Sequence, residues 1–183
     1  MSVVQSFRSR LVWGVPPDAV AGKPGLVNRK VRIPSLGVGA QDSLTYLESR
    51  CLECKPEGSW MRGVCMLHGD HGTGKTTIAG ALVHRLYWQN CCHAFFWLHG
   101  TNSTQLYNGC LTLAKYLGLV DDDEDALEAV LARLRQWMKL HPGWFLVLED
   151  VEDEAVMDLL DLPLSHGMVL VISRPAHWKS VPW

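Results

Sequence analysis

The sequence contains no apolar run that approaches the roughly 18 residues a helix needs to cross a bilayer. Its first residues also lack the apolar stretch, about 7 to 15 residues long, that marks a secretory signal. Nothing in the chain therefore favours a membrane-spanning or a secreted protein. We expect a cytoplasmic protein without a membrane partner.

A large excess of charge of one sign is absent as well. The chain has 17 Lys and Arg against 19 Asp and Glu, which gives a net charge of −2. This balance disfavours a protein whose main partner is nucleic acid. Apolar residues make up 48% and charged residues 20% of the 183 residues, which excludes wholesale disorder and favours a single globular domain.

Cysteine is limited to six residues, and they do not form a metal-binding pattern. Cys51 and Cys54 have half the spacing of a zinc site, but no second Cys-x-x-Cys or His pair follows at finger spacing. Cys65 lies in an apolar run typical of a strand, and Cys91 and Cys92 are adjacent. The pattern favours reduced thiols over a disulfide framework or structural zinc.

Residues 1–33 have a different composition from the rest of the chain. They contain six basic residues against Asp18 alone, two Pro-rich or Gly-rich stretches and little periodicity. We predict a basic arm that is extended or disordered, followed by one domain over residues 34–183. A mitochondrial transit peptide is the alternative, but Pro16 and Pro17 would break its amphipathic helix.

From residue 42 onward, strand and helix patterns alternate. Strands are predicted over residues 62–68, 93–98, 144–148 and 168–172, and helices from residue 42 and over 75–88, 106–117 and 125–140. The last two strands are apolar without interruption, as expected for parallel strands covered on both faces. We therefore predict a three-layer α/β fold with a mainly parallel sheet and helices on both of its faces.

The first predicted strand runs into a phosphate-binding loop. The motif G-x-x-x-x-G-K-S/T is matched by Gly69-Asp70-His71-Gly72-Thr73-Gly74-Lys75-Thr76. Glycines let backbone N–H groups turn toward phosphate oxygens, Lys75 can reach the terminal phosphates, and Thr76 offers its hydroxyl to Mg²⁺. Because the motif lies between a strand and a helix, it predicts a P-loop NTPase. Thr73 and Thr77 complete the predicted nucleotide-binding residues of this segment.

Two later strands end in charged residues. Glu149 and Asp150 follow an apolar run, which alone usually marks a strand end meeting solvent; downstream of a phosphate loop, they predict a Walker B strand that holds Mg²⁺. Arg174 ends the last strand, where a cation can neutralise a γ-phosphate. An ordinary surface arginine is the alternative, and position alone does not decide between them.

In order and spacing, these three segments resemble the NB-ARC domain, the nucleotide-binding module of STAND-class signalling ATPases. Four stretches carry the resemblance besides the phosphate loop: Leu146-Val147-Leu148-Glu149-Asp150-Val151, Gly167 to Arg174 with Trp178 beyond it, Phe95 to Leu98, and Val38-Gly39 with Leu44 and Leu47. It covers about residues 34–183. It implies ADP or ATP with Mg²⁺ as ligands, contact of Val38 and Gly39 with adenine, and an NLR-like signalling switch with at most slow ATP hydrolysis.

The chain departs from the family pattern at several positions. Ala40 and Gln41 replace the Arg-Glu of the adenine stretch, and His71 adds a bulky side chain to the phosphate loop. Glu149 is one methylene longer than the usual aspartate. Asp150 matches the acidic position often assigned to water activation, so that it could serve as a base or take over the metal role.

The sequence also ends soon after Arg174, before the helical lid and winged-helix domain with which family members continue. We therefore expect a truncated nucleotide-binding subdomain without lid or sensor. Two other functions stay open. One is an active P-loop phosphotransferase or ATPase, for which Arg133 and Arg135 are candidate acceptor-binding residues. The other is a degenerate fragment that acts as an interaction module, through protein partners or self-association.

Overall fold

The structure is a computed structural model, and it describes residues 11–13, 38–53, 61–121, 126–152 and 155–174. Cys54, Trp178 and most of the predicted arm lie outside the described residues, together with what the sequence predicts for them. Within the described ranges, no helix is both long enough and apolar enough to span a membrane.

Strands and helices alternate along the described chain. Their order is β1 (Leu11–Trp13), α1 (Val38–Glu53), β2 (Gly63–His68), α2 (Lys75–Trp88), β3 (Ala94–His99), α3 (Ser103–Tyr116), α4 (Leu127–Leu140), β4 (Trp144–Val151), α5 (Ala155–Leu160) and β5 (Gly167–Ser173).

The five strands form one sheet in the order β1-β3-β4-β5-β2, and every described pair is parallel. The long apolar strands β4 and β5 lie inside the sheet, where both of their faces are covered. β2, which leads into the phosphate loop, has β5 as its one described neighbour. Leu11–Trp13, from the predicted arm, forms the opposite edge through its pairing with β3.

Two apolar cores sandwich the sheet. Side chains alternate along a strand, so Phe145 and Val147 enter one core, with α1 and α2, while Leu146 and Leu148 enter the other, with α3, α4 and α5. The arrangement confirms the predicted three-layer α/β fold with a parallel sheet and helices on both faces.

The largest differences from the predicted elements lie in α1, α3, β4 and the short β1 and α5; α3 begins at Ser103 rather than at residue 106, and the other ends differ by one or two residues. α1 begins at Val38 rather than at residue 42, because its first turn contains Gly39, a poor helix former, and only the small Ala40 extends the stripe of Leu44 and Leu47. β4 continues past residue 148 to Val151, since the charged Glu149 is buried within the strand. α5 was not predicted, because its six residues are too few to show a helical period.

Candidate functional site

The phosphate loop, the Glu149-Asp150 pair and Arg174 meet at one end of the sheet, where the strands have their carboxyl ends. In the parallel register, Ser173 on β5 aligns with His68 on β2 and with Val151 on β4. Neighbouring strands lie about 4.8 Å apart. The phosphate loop, the Glu149-Asp150 pair and Arg174 therefore emerge side by side at the carboxyl ends of the strands, where ligands bind in open α/β sheets.

Glycines shape the loop that leads from β2 to α2. Gly72 has a φ of 77° and Gly74 a φ of 85°, a left-handed conformation that glycine adopts without steric cost. Thr73 closes the turn, because its Oγ1 donates to the Asp70 carbonyl at 2.9 Å. Gly74 caps α2, and within the described residues no side-chain hydrogen bond caps the start of this helix. The N–H groups at a helix N-terminus and the helix dipole favour an anion, so this terminus suits a phosphate.

Lys75 places a positive charge inside this loop. Its Nζ donates to the carbonyl oxygens of Gly69 at 2.6 Å and of Asp70 at 2.7 Å. The ammonium group makes no ion pair with any carboxylate in the described part of the chain. Among the described residues, only neutral carbonyl groups therefore bind the ammonium. An anion in the loop would give it a charged partner.

Glu149 and Thr76, the two predicted Mg²⁺ ligands, are in direct contact. The Thr76 hydroxyl donates to Oε1 of Glu149, whose residue is only 8% exposed. Oε2 of the same carboxylate accepts the indole N–H of Trp97 at 2.8 Å, and Nδ1 of His99 lies 3.6 Å from it. Both carboxylate oxygens are thus engaged, which offsets the cost of burying the charge.

Neither Trp97 nor His99 is among the predicted site residues, although Trp97 lies in the Phe95 to Leu98 stretch of the resemblance. They belong to β3, the neighbour of β4, and His99 aligns with Glu149 in the register. Trp97 is two residues earlier in β3 and therefore lies on the same face of the sheet. The contact depends on which strands are neighbours; the sole signal in the sequence is that each residue is near the end of a predicted strand.

Asp150 follows Glu149 at an irregular point of β4. Its φ is 55°, and the pairing of β4 with β5 breaks between Leu148 and Val151. Aspartate tolerates this left-handed conformation better than most residues. The irregularity leaves Asp150 exposed while Glu149 and Val151 are buried. Its predicted role as a base or metal ligand stays a prediction.

Gly100 packs against the same irregular stretch of β4. Its N–H donates to the Glu149 carbonyl at 2.7 Å, and a Cβ on this residue would come within 2.9 Å of Cγ2 of Val151. Only glycine allows this approach of the two backbones without a shift of Val151. Gly100 therefore holds the end of β3 against the residue that carries the buried carboxylate.

The remaining predicted site residues are Arg174, Thr77, Val38 and Gly39. Arg174 is exposed directly after β5 and makes no ion pair with a described residue. Thr77 is exposed in the first turn of α2. Val38 and Gly39 are the first residues of α1. This helix packs on α2, where Glu48 forms an ion pair with Arg85 and accepts a 2.7 Å hydrogen bond from Nε2 of Gln89.

The donor groups present fit a nucleotide bound with Mg²⁺. Backbone N–H groups and the Lys75 ammonium suit phosphate oxygens, and the Thr76 hydroxyl and Glu149 carboxylate are the oxygen donors that Mg²⁺ prefers. The described residues include no group of three or more His, Cys, Asp or Glu that could hold a metal ion. A cation here would therefore take its other ligands from phosphate and water.

Comparison with known proteins agrees with this geometry. Residues 46–176 match the family model of the NB-ARC domain, a range that includes the phosphate loop, Glu149 and Arg174 but begins after Val38 and Gly39. The fold is similar to that of Cdc6p from Pyrobaculum aerophilum, with 17% identity, a TM-score of 0.58, and coverage of 80% of this chain and 41% of that one.

It is also similar to the ORC2 protein of Aeropyrum pernix, whose structure is described as ADPNP-ADP complexes. The identity is 15%, the TM-score is 0.56, and the match covers 80% of this chain and 44% of that one. Identities this low show a common fold. The chain spans less than half the length of either of these structures.

Proposed function

The chain belongs to the NB-ARC family, and on that premise we propose that it is the ADP- or ATP-binding core of a STAND-class signalling switch similar to NLR proteins. Family and fold support a nucleotide-binding P-loop NTPase core. The observation that carries the proposal is the contact of Thr76 with Glu149 beside a lysine that has no carboxylate partner among the described residues. We place the protein in the cytoplasm, with other proteins or a second copy as its partners.

Each site residue has a role in this proposal. Backbone groups of Gly69, Gly72, Thr73 and Gly74 bind the phosphates, and the Lys75 ammonium turns from the loop carbonyls to the terminal phosphate oxygens. Thr76 and Glu149 would hold Mg²⁺, which when bound offsets the negative charge of the phosphates.

The residues at the rim of the site complete this assignment. Arg174 lies where it can neutralise a γ-phosphate, and Thr77 extends the binding surface along the first turn of α2. Val38 and Gly39 lie against the base. ADP and ATP would then differ in the charge that they present to Arg174, and that difference is what a switch needs to favour one conformation over another.

The environment of the two carboxylates favours slow hydrolysis. Glu149 is held by Thr76 and Trp97 through its two oxygens, so it is not poised to take a proton from water. Asp150 is exposed to solvent. A site that binds nucleotide tightly and turns it over slowly suits a switch, in which hydrolysis is a reset step.

The contacts of Arg133 and Arg135 favour a packing role over the acceptor-binding role that a phosphotransferase would need. Arg135 donates to the carbonyl oxygens of Leu159 and Leu160 at 2.8 and 2.9 Å, and Arg133 donates to the Leu119 carbonyl at 2.8 Å. Both arginines thus tie α4 to neighbouring segments on the α3–α5 face. Their bonds are those of packing residues rather than of an acceptor-binding lid.

The nucleotide that co-purifies with the protein, together with its rate of turnover, tests this proposal. The protein is purified without added nucleotide, denatured, and the released nucleotide is identified by chromatography. We expect ADP or ATP near one equivalent per chain and ATP turnover well below 1 s⁻¹, the order of magnitude at the slow end for kinases. Turnover above roughly 1 s⁻¹ would favour an active enzyme, whereas a protein that neither retains nor binds nucleotide would support the interaction module.

A further inference from the structure

Two thiols face each other where α1 packs over β2. Sγ of Cys51 lies 3.9 Å from Sγ of Cys65, although the two residues are 14 positions apart in the chain. Cys51 is completely buried, and Cys65 is partly exposed on the strand whose one described neighbour is β5. A disulfide requires about 2.05 Å between the sulfurs, so the distance across the present S–H···S hydrogen bond must shorten by about 2 Å.

The surroundings make Cys65 the more reactive of the two. The hydrogen bond from the Cys51 thiol lowers the pKa of Cys65 below the ordinary thiol value; burial opposes this shift, and the charge of Arg50 supports it. A thiolate is the nucleophile in thiol oxidation, so these effects favour attack by Cys65. Cys110 is the opposite case, because burial raises the pKa of its thiol to about 12.

We propose that Cys51 and Cys65 form a reversible disulfide that fastens α1 to the strand leading into the phosphate loop. The oxidant is a hydroperoxide such as hydrogen peroxide. The Cys65 thiolate attacks one peroxide oxygen, the O–O bond breaks, and the protonated leaving group departs as water, with Cys65 left as a sulfenic acid. Cys51 then attacks the Cys65 sulfur, the S–S bond forms, the S–O bond breaks, and a second water leaves. The two sulfurs together lose the two electrons that the peroxide gains.

The position of the cross-link gives it a structural consequence. Cys65 is four residues before Gly69, the first residue of the phosphate loop, and Cys51 is in the last turn of α1. The bond would join a helix and a strand that are otherwise held by apolar packing at this point. The inference does not depend on nucleotide binding, because it uses only the two thiols and their contact.

Peptide mapping of the full chain tests the proposal. Protein is treated with hydrogen peroxide, remaining thiols are alkylated, and a non-reducing digest is analysed by mass spectrometry. We expect a linked pair of peptides that joins Cys51 to Cys65, lacks two hydrogen atoms, and disappears after dithiothreitol. Cys110 serves as the internal control and should remain an alkylated thiol.

A cysteine variant and a measurement of Tm show whether the cross-link is specific to this pair. Cys65→Ser, at a partly exposed position, should keep the fold by circular dichroism and lose the cross-link. Oxidation of the parent protein should raise Tm by several degrees, because closing a loop of about 15 residues restricts the unfolded chain. The proposal is overturned if peroxide converts Cys65 to a sulfinic acid while Cys51 stays reduced, or if either residue links to a different cysteine instead.

Discussion

At the scale of single residues, Glu149 gives this site its particular chemistry. Its extra methylene lets one carboxylate reach Thr76 on α2 and Trp97 on β3 at the same time. A cation can enter between the hydroxyl and the carboxylate only if their contact opens. Length, rather than charge, is therefore the property that separates this side chain from an aspartate.

Shortening this side chain should speed hydrolysis. In Glu149→Asp the carboxylate no longer spans to the Thr76 hydroxyl, which leaves room for Mg²⁺ in its preferred octahedral shell. We expect a several-fold higher rate of ATP hydrolysis, measured as phosphate release under single-turnover conditions. Glu149→Gln is the matched control, because it keeps the length but removes the charge and should hydrolyse no faster than the parent. An aspartate variant as slow as the parent would contradict this role for side-chain length.

Removing the indole N–H of Trp97 should destabilise the protein. Trp97→Phe keeps an aromatic ring in the core but leaves Oε2 of the buried Glu149 without its donor at 2.8 Å. Loss of a hydrogen bond to a charged group, together with a smaller ring, predicts a fall of about 1.5–3 kcal/mol in the free energy of unfolding. Urea unfolding of the parent and of Trp97→Phe, followed by circular dichroism, measures this difference in free energy.

Trp88→Phe provides the comparison for this measurement. Trp88 is 48% exposed, and its indole bonds to His84 at the surface of α2. We expect its effect on the free energy of unfolding to stay within about 0.5 kcal/mol. If both variants lost the same free energy of unfolding, the hydrogen bond from Trp97 to Glu149 would not stabilise the protein.

At the scale of elements, the sequence predicts the helices and strands themselves but not the order of the strands in the sheet. α2 begins and ends at the predicted residues, because the phosphate loop fixes its start and an apolar stripe marks its length. β4 and β5 were evident as uninterrupted apolar runs. The order of the strands was not, since pairing is decided by packing between distant segments. Trp97 and His99 could be assigned to the site only once β3 was known to lie beside β4.

The start of β5 offers a test of packing between elements. A Cβ on Gly167 would come within 2.1 Å of the buried ring of Trp144, the residue with which it is paired on β4. Gly167→Ala should therefore lower the free energy of unfolding by at least about 2 kcal/mol, because the ring has no room to move in a packed core.

Gly39→Ala is a suitable control for this substitution. Gly39 is in the first turn of α1, and an added Cβ would meet nothing within 4 Å. Alanine is the better helix former, so we expect Gly39→Ala to be neutral or to gain up to about 1 kcal/mol. Thermal unfolding of both variants measures the two effects. A Gly167→Ala protein as stable as the parent would show that the ring of Trp144 is not fixed.

At the scale of the whole molecule, one parallel sheet brings the phosphate loop, the Glu149-Asp150 pair and Arg174 to the carboxyl ends of its strands. The strands that lead into these three segments come from separate stretches of the sequence, yet β2, β5 and β4 are consecutive in the sheet. The same arrangement explains why motifs that are modest individually predicted the fold together. Each was expected at the carboxyl end of a parallel strand, and a single sheet satisfies them all.

Calorimetric titration of ADP and ATP into nucleotide-free protein with Mg²⁺ tests the central claim most directly. We predict binding near one nucleotide per chain, and a loss of about 10- to 100-fold in affinity for Lys75→Ala, because a charged hydrogen-bonding partner of the phosphates is removed. Lys139→Ala changes an exposed lysine in the last turn of α4 and should bind as the parent does. Absence of binding by the folded parent protein, or equal affinities of parent and Lys75→Ala, would contradict the assignment of this edge of the sheet as a nucleotide site.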